Sequence, residues 1–135
     1  MTTTGGCYCG QLRYEAEGEP GFRAQCHCRE CQYISGGSPN VIMGFPDTGF
    51  SYTKGQPKVF ARDDIEGPAR REFCGDCGTH ILTRAASVND MVIVKVGTLD
   101  DPSLFGKADF AIQVADKQSF HHLPEDVPAF DRWMG

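Results

Sequence analysis

Seven cysteines, gathered into three short clusters, constrain this chain more than any other feature. They are Cys7 and Cys9, then Cys26, Cys28 and Cys31, then Cys74 and Cys77. An odd number of thiols cannot be paired off as internal disulfides. The start, Met-Thr-Thr-Thr-Gly-Gly, lacks the basic residues and apolar run of a secretory leader. No stretch reaches the ~20 apolar residues of a membrane span. The expectation is a soluble, cytoplasmic, reducing setting, in which clustered thiols serve metals or redox chemistry rather than staples. The 13 basic and 18 acidic residues leave a net charge of −5. A general nucleic-acid or membrane binder needs a basic face, so neither partner is expected.

The outer clusters share wording. Gly6-Cys7-Tyr8-Cys9-Gly10 and Cys74-Gly75-Asp76-Cys77-Gly78 each place Gly after the second Cys. Gly takes positive φ without penalty, which lets the backbone turn and aim N–H groups at sulfur. Cys-x-x-Cys is a standard zinc spacing, and Cys-x-Cys is a tighter one. Together Cys7, Cys9, Cys74 and Cys77 make a four-thiolate, closed and therefore structural zinc site. The competing reading is a redox pair at Cys74 and Cys77, which the lack of a βαβ pattern disfavours.

The middle cluster, Cys26-His27-Cys28-Arg29-Glu30-Cys31, offers three sulfurs in six residues. Three ligands without an obvious fourth describe an open zinc site, where water or a substrate atom completes the tetrahedron. Three thiolates on Zn²⁺ leave a charge near −1. Such a centre is a weak electrophile, better suited to holding a substrate thiol as thiolate than to activating water. His27 lies between two ligand cysteines and is a candidate proton carrier, although a hydrogen-bonded structural role competes. Two other readings stay open: a second structural site completed by His80 or another side chain, and a metal-free redox triplet.

Short alternating segments between turns predict a mainly antiparallel β-fold. Strands are expected at 12–16, 22–26 (as its hairpin partner), 41–43, 50–53, 58–61, 71–74, 79–83, 91–96 and 108–114, the last with Phe110, Ile112 and Val114 on one face. Helical turns are expected at 29–35 and 101–105. The chain reads as one domain over 1–135, with a core of about 5–122 and a docked tail over 123–135 that Trp133 packs. His121-His122 reads as incidental.

The three motifs, in order and spacing, resemble the glutathione-dependent formaldehyde-activating enzyme family, which includes a domain of centromere protein V. They stand here as Gly5-Gly6-Cys7-Tyr8-Cys9-Gly10, Cys26-His27-Cys28-Arg29-Glu30-Cys31 and Phe73-Cys74-Gly75-Asp76-Cys77-Gly78-Thr79. The resemblance implies a β-tent fold organised by zinc. It implies structural zinc at Cys7, Cys9, Cys74 and Cys77, and a second, active-site zinc at Cys26, Cys28 and Cys31. It also implies carbon–sulfur lyase activity, joining formaldehyde to glutathione as S-(hydroxymethyl)glutathione. Gln32-Tyr33 stands where many members carry basic residues, which argues against formaldehyde itself as the substrate. Glutathione would need cationic anchors, for which Arg29, Arg70, Arg71 and Lys95 are candidates. Ser35 and Gly36, in the loop after the triplet, are candidate pocket-bordering residues. Two other functions fit the same metal sites: a non-catalytic zinc module that binds a protein, and a thiol-redox protein.

Overall fold

The computed structural model describes residues 1–133, and the final residues of the expected tail, 134 and 135, lie outside the described residues. Among the described residues, ten strands form two sheets. The small sheet holds β1 (Thr2–Gly6), β2 (Arg13–Glu17) and β5 (Phe50–Lys54), with β2 in the middle. The large sheet holds β3 (Phe22–Cys26), β4 (Asn40–Pro46), β6 (Lys58–Phe60), β7 (Arg70–Phe73), β8 (His80–Arg84), β9 (Met91–Lys95) and β10 (Phe110–Ile112). Its order is β10-β3-β4-β9-β8-β7-β6. All pairings are antiparallel except that of β10 with β3. The one α-helix among the described residues is α1 (Arg29–Ser35).

The central strands are apolar on both faces, as strands covered on both sides must be. On β4, Met43 and Phe45 face one way and Ile42 the other; on β9, Val92 and Val94 oppose Ile93. The first face packs against Leu12, Tyr14 and Ala16 of the small-sheet side. The second is covered by Phe110, Phe130 and Trp133. Burying a side chain of this size stabilises by roughly 1.5–3 kcal/mol, so both layers matter to stability.

Two expectations require correction, and one strand is additional. The segment at 12–16 does not form a hairpin with 22–26, because β2 pairs with β1 and β5 while β3 pairs with β4 and β10. The turn Glu17–Gly21 carries the chain from one sheet to the other. Turn residues announce a reversal but do not choose the partner of the next strand. The last strand stops at Ile112, since Gln113 takes a left-handed conformation (φ 56°) and opens a 3₁₀ turn over Val114–Asp116, so Val114 leaves the shared face. Strand β1 lies outside the expected strands, although its three threonines carry the β-branched signal.

Candidate active site and metal centre

Each cysteine cluster closes on itself, and the two lie on opposite faces of the large sheet. Cys7 and Cys74 join the core on the small-sheet side, and Cys26 and Cys31 join the core on the other.

The ligand sulfurs of Cys7, Cys9, Cys74 and Cys77 all lie within 4.8 Å of one another. Sγ of Cys9 is 3.6 Å from that of Cys7 and 3.7 Å from that of Cys74. A zinc ion bonded to four thiolates at ≈ 2.3 Å sets an edge of about 3.8 Å, so this cage fits zinc. Gly10 (φ 82°) and Gly78 (φ 80°) make the expected left-handed turns. Those turns leave the Leu12 N–H donating to Cys7 Sγ (3.2 Å), and the Asp76 and Cys77 N–H groups donating to Cys74 Sγ (both 3.4 Å). Donors aimed at sulfur stabilise thiolate charge.

The sulfurs of Cys26, Cys28 and Cys31 also lie within 4.8 Å of one another. Cys26 ends β3, Cys28 caps α1 by accepting from the Cys31 N–H (3.2 Å), and Cys31 sits in the first turn. Among the described residues no fourth His, Cys, Asp or Glu joins the group, His80 included. The Asn40 side-chain amide donates to Cys31 Sγ (3.5 Å). Hydrogen bonds from Cys26 and Cys28 hold the Cys31 thiol down at about 3, while those with Cys28 and Cys31 push Cys26 up. A set that readily gives up protons at one sulfur suits a cation.

A cavity of about 110 Å³ opens on the triplet, lined by Cys26, Cys31, Asn40, Arg71, Thr83 and Lys95 among others. Sheet register builds it: Cys26 pairs with Asn40, Ile42 with Lys95, and Arg71 lines up with Thr83, which pairs with Ile93. Lys95 is only 8% exposed and donates through Nζ to Thr83 Oγ1 (2.8 Å). Burial pulls its ammonium down to about 8, against the attraction of the Cys31 thiolate. Lys95, one of the candidate anchors, is the lone charge in the apolar run Met91–Val96.

His27 turns away from the triplet. It is fully buried, with Nδ1 3.1 Å from His121 Nδ1 and Nε2 3.3 Å from the Gln25 side chain. Since the Gly37 carbonyl can only accept, His121 Nε2 (2.7 Å) carries the proton there. His121 Nδ1 then accepts from the Gln118 N–H (3.2 Å) and from His27 Nδ1–H. Both His27 nitrogens therefore face protein partners, and its place is structural. His121, which the sequence marks as incidental, is its partner, while His122 is exposed. Gln32 completes this network by donating to the carbonyls of His27 (2.9 Å) and Asp116 (3.0 Å).

The other candidate anchors separate. Arg71 lines both the small cavity and a larger neighbouring one, Arg29 lines the larger, and the exposed Arg70 lines neither. Ser35 and Gly36 also line neither cavity: the Ser35 hydroxyl donates to the Cys31 carbonyl (2.8 Å), and Gly36 caps the helix with φ 75°. They terminate α1.

The fold and its thiol clusters define a β-protein with one four-cysteine and one three-cysteine centre, both able to hold metal. The chain belongs to the glutathione-dependent formaldehyde-activating enzyme family, whose model matches residues 2–115. A crystal structure of a Rhodobacter sphaeroides protein shares the fold, with 18% identity over 93% of this chain and 98% of that one, at a TM-score of 0.63. No curated protein matches the chain in sequence. Among the described residues no helix is long and apolar enough to cross a membrane.

Proposed function

We propose that this chain is a cytoplasmic, zinc-dependent enzyme of carbon–sulfur chemistry that makes or splits the adduct of a thiol, glutathione or a relative, with an aldehyde. Membership of a formaldehyde-activating family supports the reaction class. The observation that carries the reading is the three-sulfur cluster with no fourth His, Cys, Asp or Glu ligand among the described residues, opening on a cavity that a buried lysine also lines.

Cys7, Cys9, Cys74 and Cys77 hold a structural zinc in this reading, and Cys26, Cys28 and Cys31 hold the second. At the triplet, zinc would supply a Lewis-acid position that keeps a substrate thiol ionised near neutral pH. The rest falls to the chain. Lys95 offsets part of the negative charge of the thiolates. The thiolate sulfur attacks the aldehyde carbon, and the carbonyl π pair moves to oxygen. Lys95 Nζ donates a proton to that oxygen, and the proton lost by the incoming thiol restores the ammonium. The balance is RSH + R′CHO → RSCH(OH)R′, and the reverse splits the adduct. Holding the partners together supplies much of the acceleration, because thiols add to aldehydes readily.

Cys28→Ser tests this. Serine preserves the helix cap that Cys28 provides, so the fold survives. The expected result is a folded protein with one zinc fewer, in which catalysed formation of the adduct from glutathione and an aldehyde is lost. Unchanged turnover would overturn the assignment.

A further inference from the structure

Three exposed apolar side chains, Tyr33, Phe60 and Ile65, line a single cavity of about 730 Å³. That volume is typical of a small-molecule site. Phe73 lines it too, with its ring stacked at 8° on His80, whose imidazole burial pulls down to about 4, so this wall is uncharged at neutral pH.

Three guanidinium groups reach the cavity, and two are matched by acids: Arg62 with Asp64 (2.6 Å), and Arg71 with Glu30. Arg29 has no acidic partner among the described residues. It donates to Gln32 Oε1 and lies over the Tyr33 ring, 5.1 Å from its centroid. A cavity with a largely apolar wall, in which Arg62, Arg71 and Glu30 are taken up in ion pairs and one cation is left without an acidic partner, calls for a ligand with a large apolar body and one negative charge. Glutathione is a weaker match, because only one of its two carboxylates would meet a cation without an acidic partner, and its amides would lose water against Tyr33, Phe60 and Ile65. The cavity borders the triplet, since Arg29 and Glu30 lie between Cys28 and Cys31 and Arg71 lines both cavities.

We infer that this cavity binds an apolar monoanion, an aromatic or branched-chain carboxylate, with Arg29 as its charge partner. Resting on the proposed function, that group is the body of the aldehyde or thiol whose reacting end meets the triplet.

Titration calorimetry on the zinc-loaded full chain tests the inference with naphthalene-2-carboxylate, 2-naphthalenemethanol and acetate. The aromatic carboxylate should bind about tenfold more tightly than the alcohol, the size of effect expected for one charge-assisted hydrogen bond, and acetate should not bind measurably. Arg29→Gln should erase the preference for the carboxylate over the alcohol, and Phe60→Ser should weaken both. Both side chains are exposed, so the variants should keep their fold and zinc content, checked by circular dichroism and elemental analysis. Equal binding of carboxylate and alcohol, no binding of either, or a preference that survives Arg29→Gln would overturn the assignment. The readout is binding, so absent turnover with intact binding counts against the proposed activity alone, and absent binding with intact turnover counts against this cavity alone.

Discussion

Replacing His121 with Ala should damage both the fold and the triplet, although no atom of His121 belongs to a thiol cluster. Its ring accepts from His27 Nδ1–H (3.1 Å) and from the Gln118 N–H (3.2 Å), and donates to the Gly37 carbonyl (2.7 Å). Alanine removes all three bonds. His27 is 0% exposed, so its stranded N–H has no water to turn to. An unsatisfied buried donor costs about 1–3 kcal/mol, and the space left by the lost ring adds to that. The total should be roughly 3 kcal/mol, well above the ±0.5 kcal/mol typical of surface changes. His27 joins Cys26 to Cys28, so loosening it should also weaken metal at the triplet while sparing the four-cysteine cage on the opposite face. Urea unfolding and zinc content measure the two effects. His121→Asn, whose side-chain oxygen can replace the Nδ1 acceptor, should recover part of both. The exposed neighbour is the control, with His122→Ala expected to behave as wild type. A His121→Ala protein within about 0.5 kcal/mol of wild type, with its full complement of zinc, would refute the argument.

Other expectations follow from the same geometry. Lys95→Met should slow adduct formation about a hundredfold, the lower end of general-acid effects, without loss of zinc; stability should hold or rise, because a buried charge is replaced by an apolar group of similar length. Wild-type turnover in that variant would remove Lys95 from the chemistry. Cys74→Ser should abolish metal at the four-cysteine cage and unfold the chain at far lower urea, because Cys74 is buried and zinc–thiolate binding there is folding energy; an unchanged urea midpoint would refute this. For His80, burial lowers the folded pKa from 6.5 to about 4. The unfolded chain therefore takes up a proton in that window that the folded chain refuses, and stability falls as pH drops from 6.5 to about 4. His80→Gln should flatten that part of the Tm–pH curve, and an unaltered slope would count against the assignment. Asp100 is held down to about 2 by Arg13 and Thr4, so its contribution is present above the ordinary carboxylate range and fades as pH falls towards about 2. The pair is solvent-exposed, so Asp100→Asn should cost under about 1 kcal/mol in urea unfolding at neutral pH.

The cysteine pairs and the triplet were legible in local sequence because each depends on near neighbours, whereas the meeting of Cys7 and Cys9 with Cys74 and Cys77 is long-range. Cys7 and Cys9, or Cys74 and Cys77, are brought together by one turn, and the glycine that permits the turn stands beside them. Cys26, Cys28 and Cys31 meet because a strand ends where a helix begins. Most strands were legible as short segments between turns, but β1 was not, because Thr-Thr-Thr-Gly-Gly shows no alternation of apolar and polar residues. What surrounds the triplet was not legible, because it comes from long-range register. Only the pairing of β8 with β9 brings Thr83 to Lys95, and only the docking of the 113–121 segment gives His27 its partner in His121. The same limit explains the missing hairpin: the Glu17–Gly21 turn is written in the sequence, but the choice of β4 and β10 as partners for β3 was made by burial of apolar faces far apart in the chain. The residues thus determined which atoms could hold a metal, and the tertiary structure decided which cations, amides and apolar walls face them, because those neighbours are chosen by the packing of two sheets and not by any one segment's own preferences.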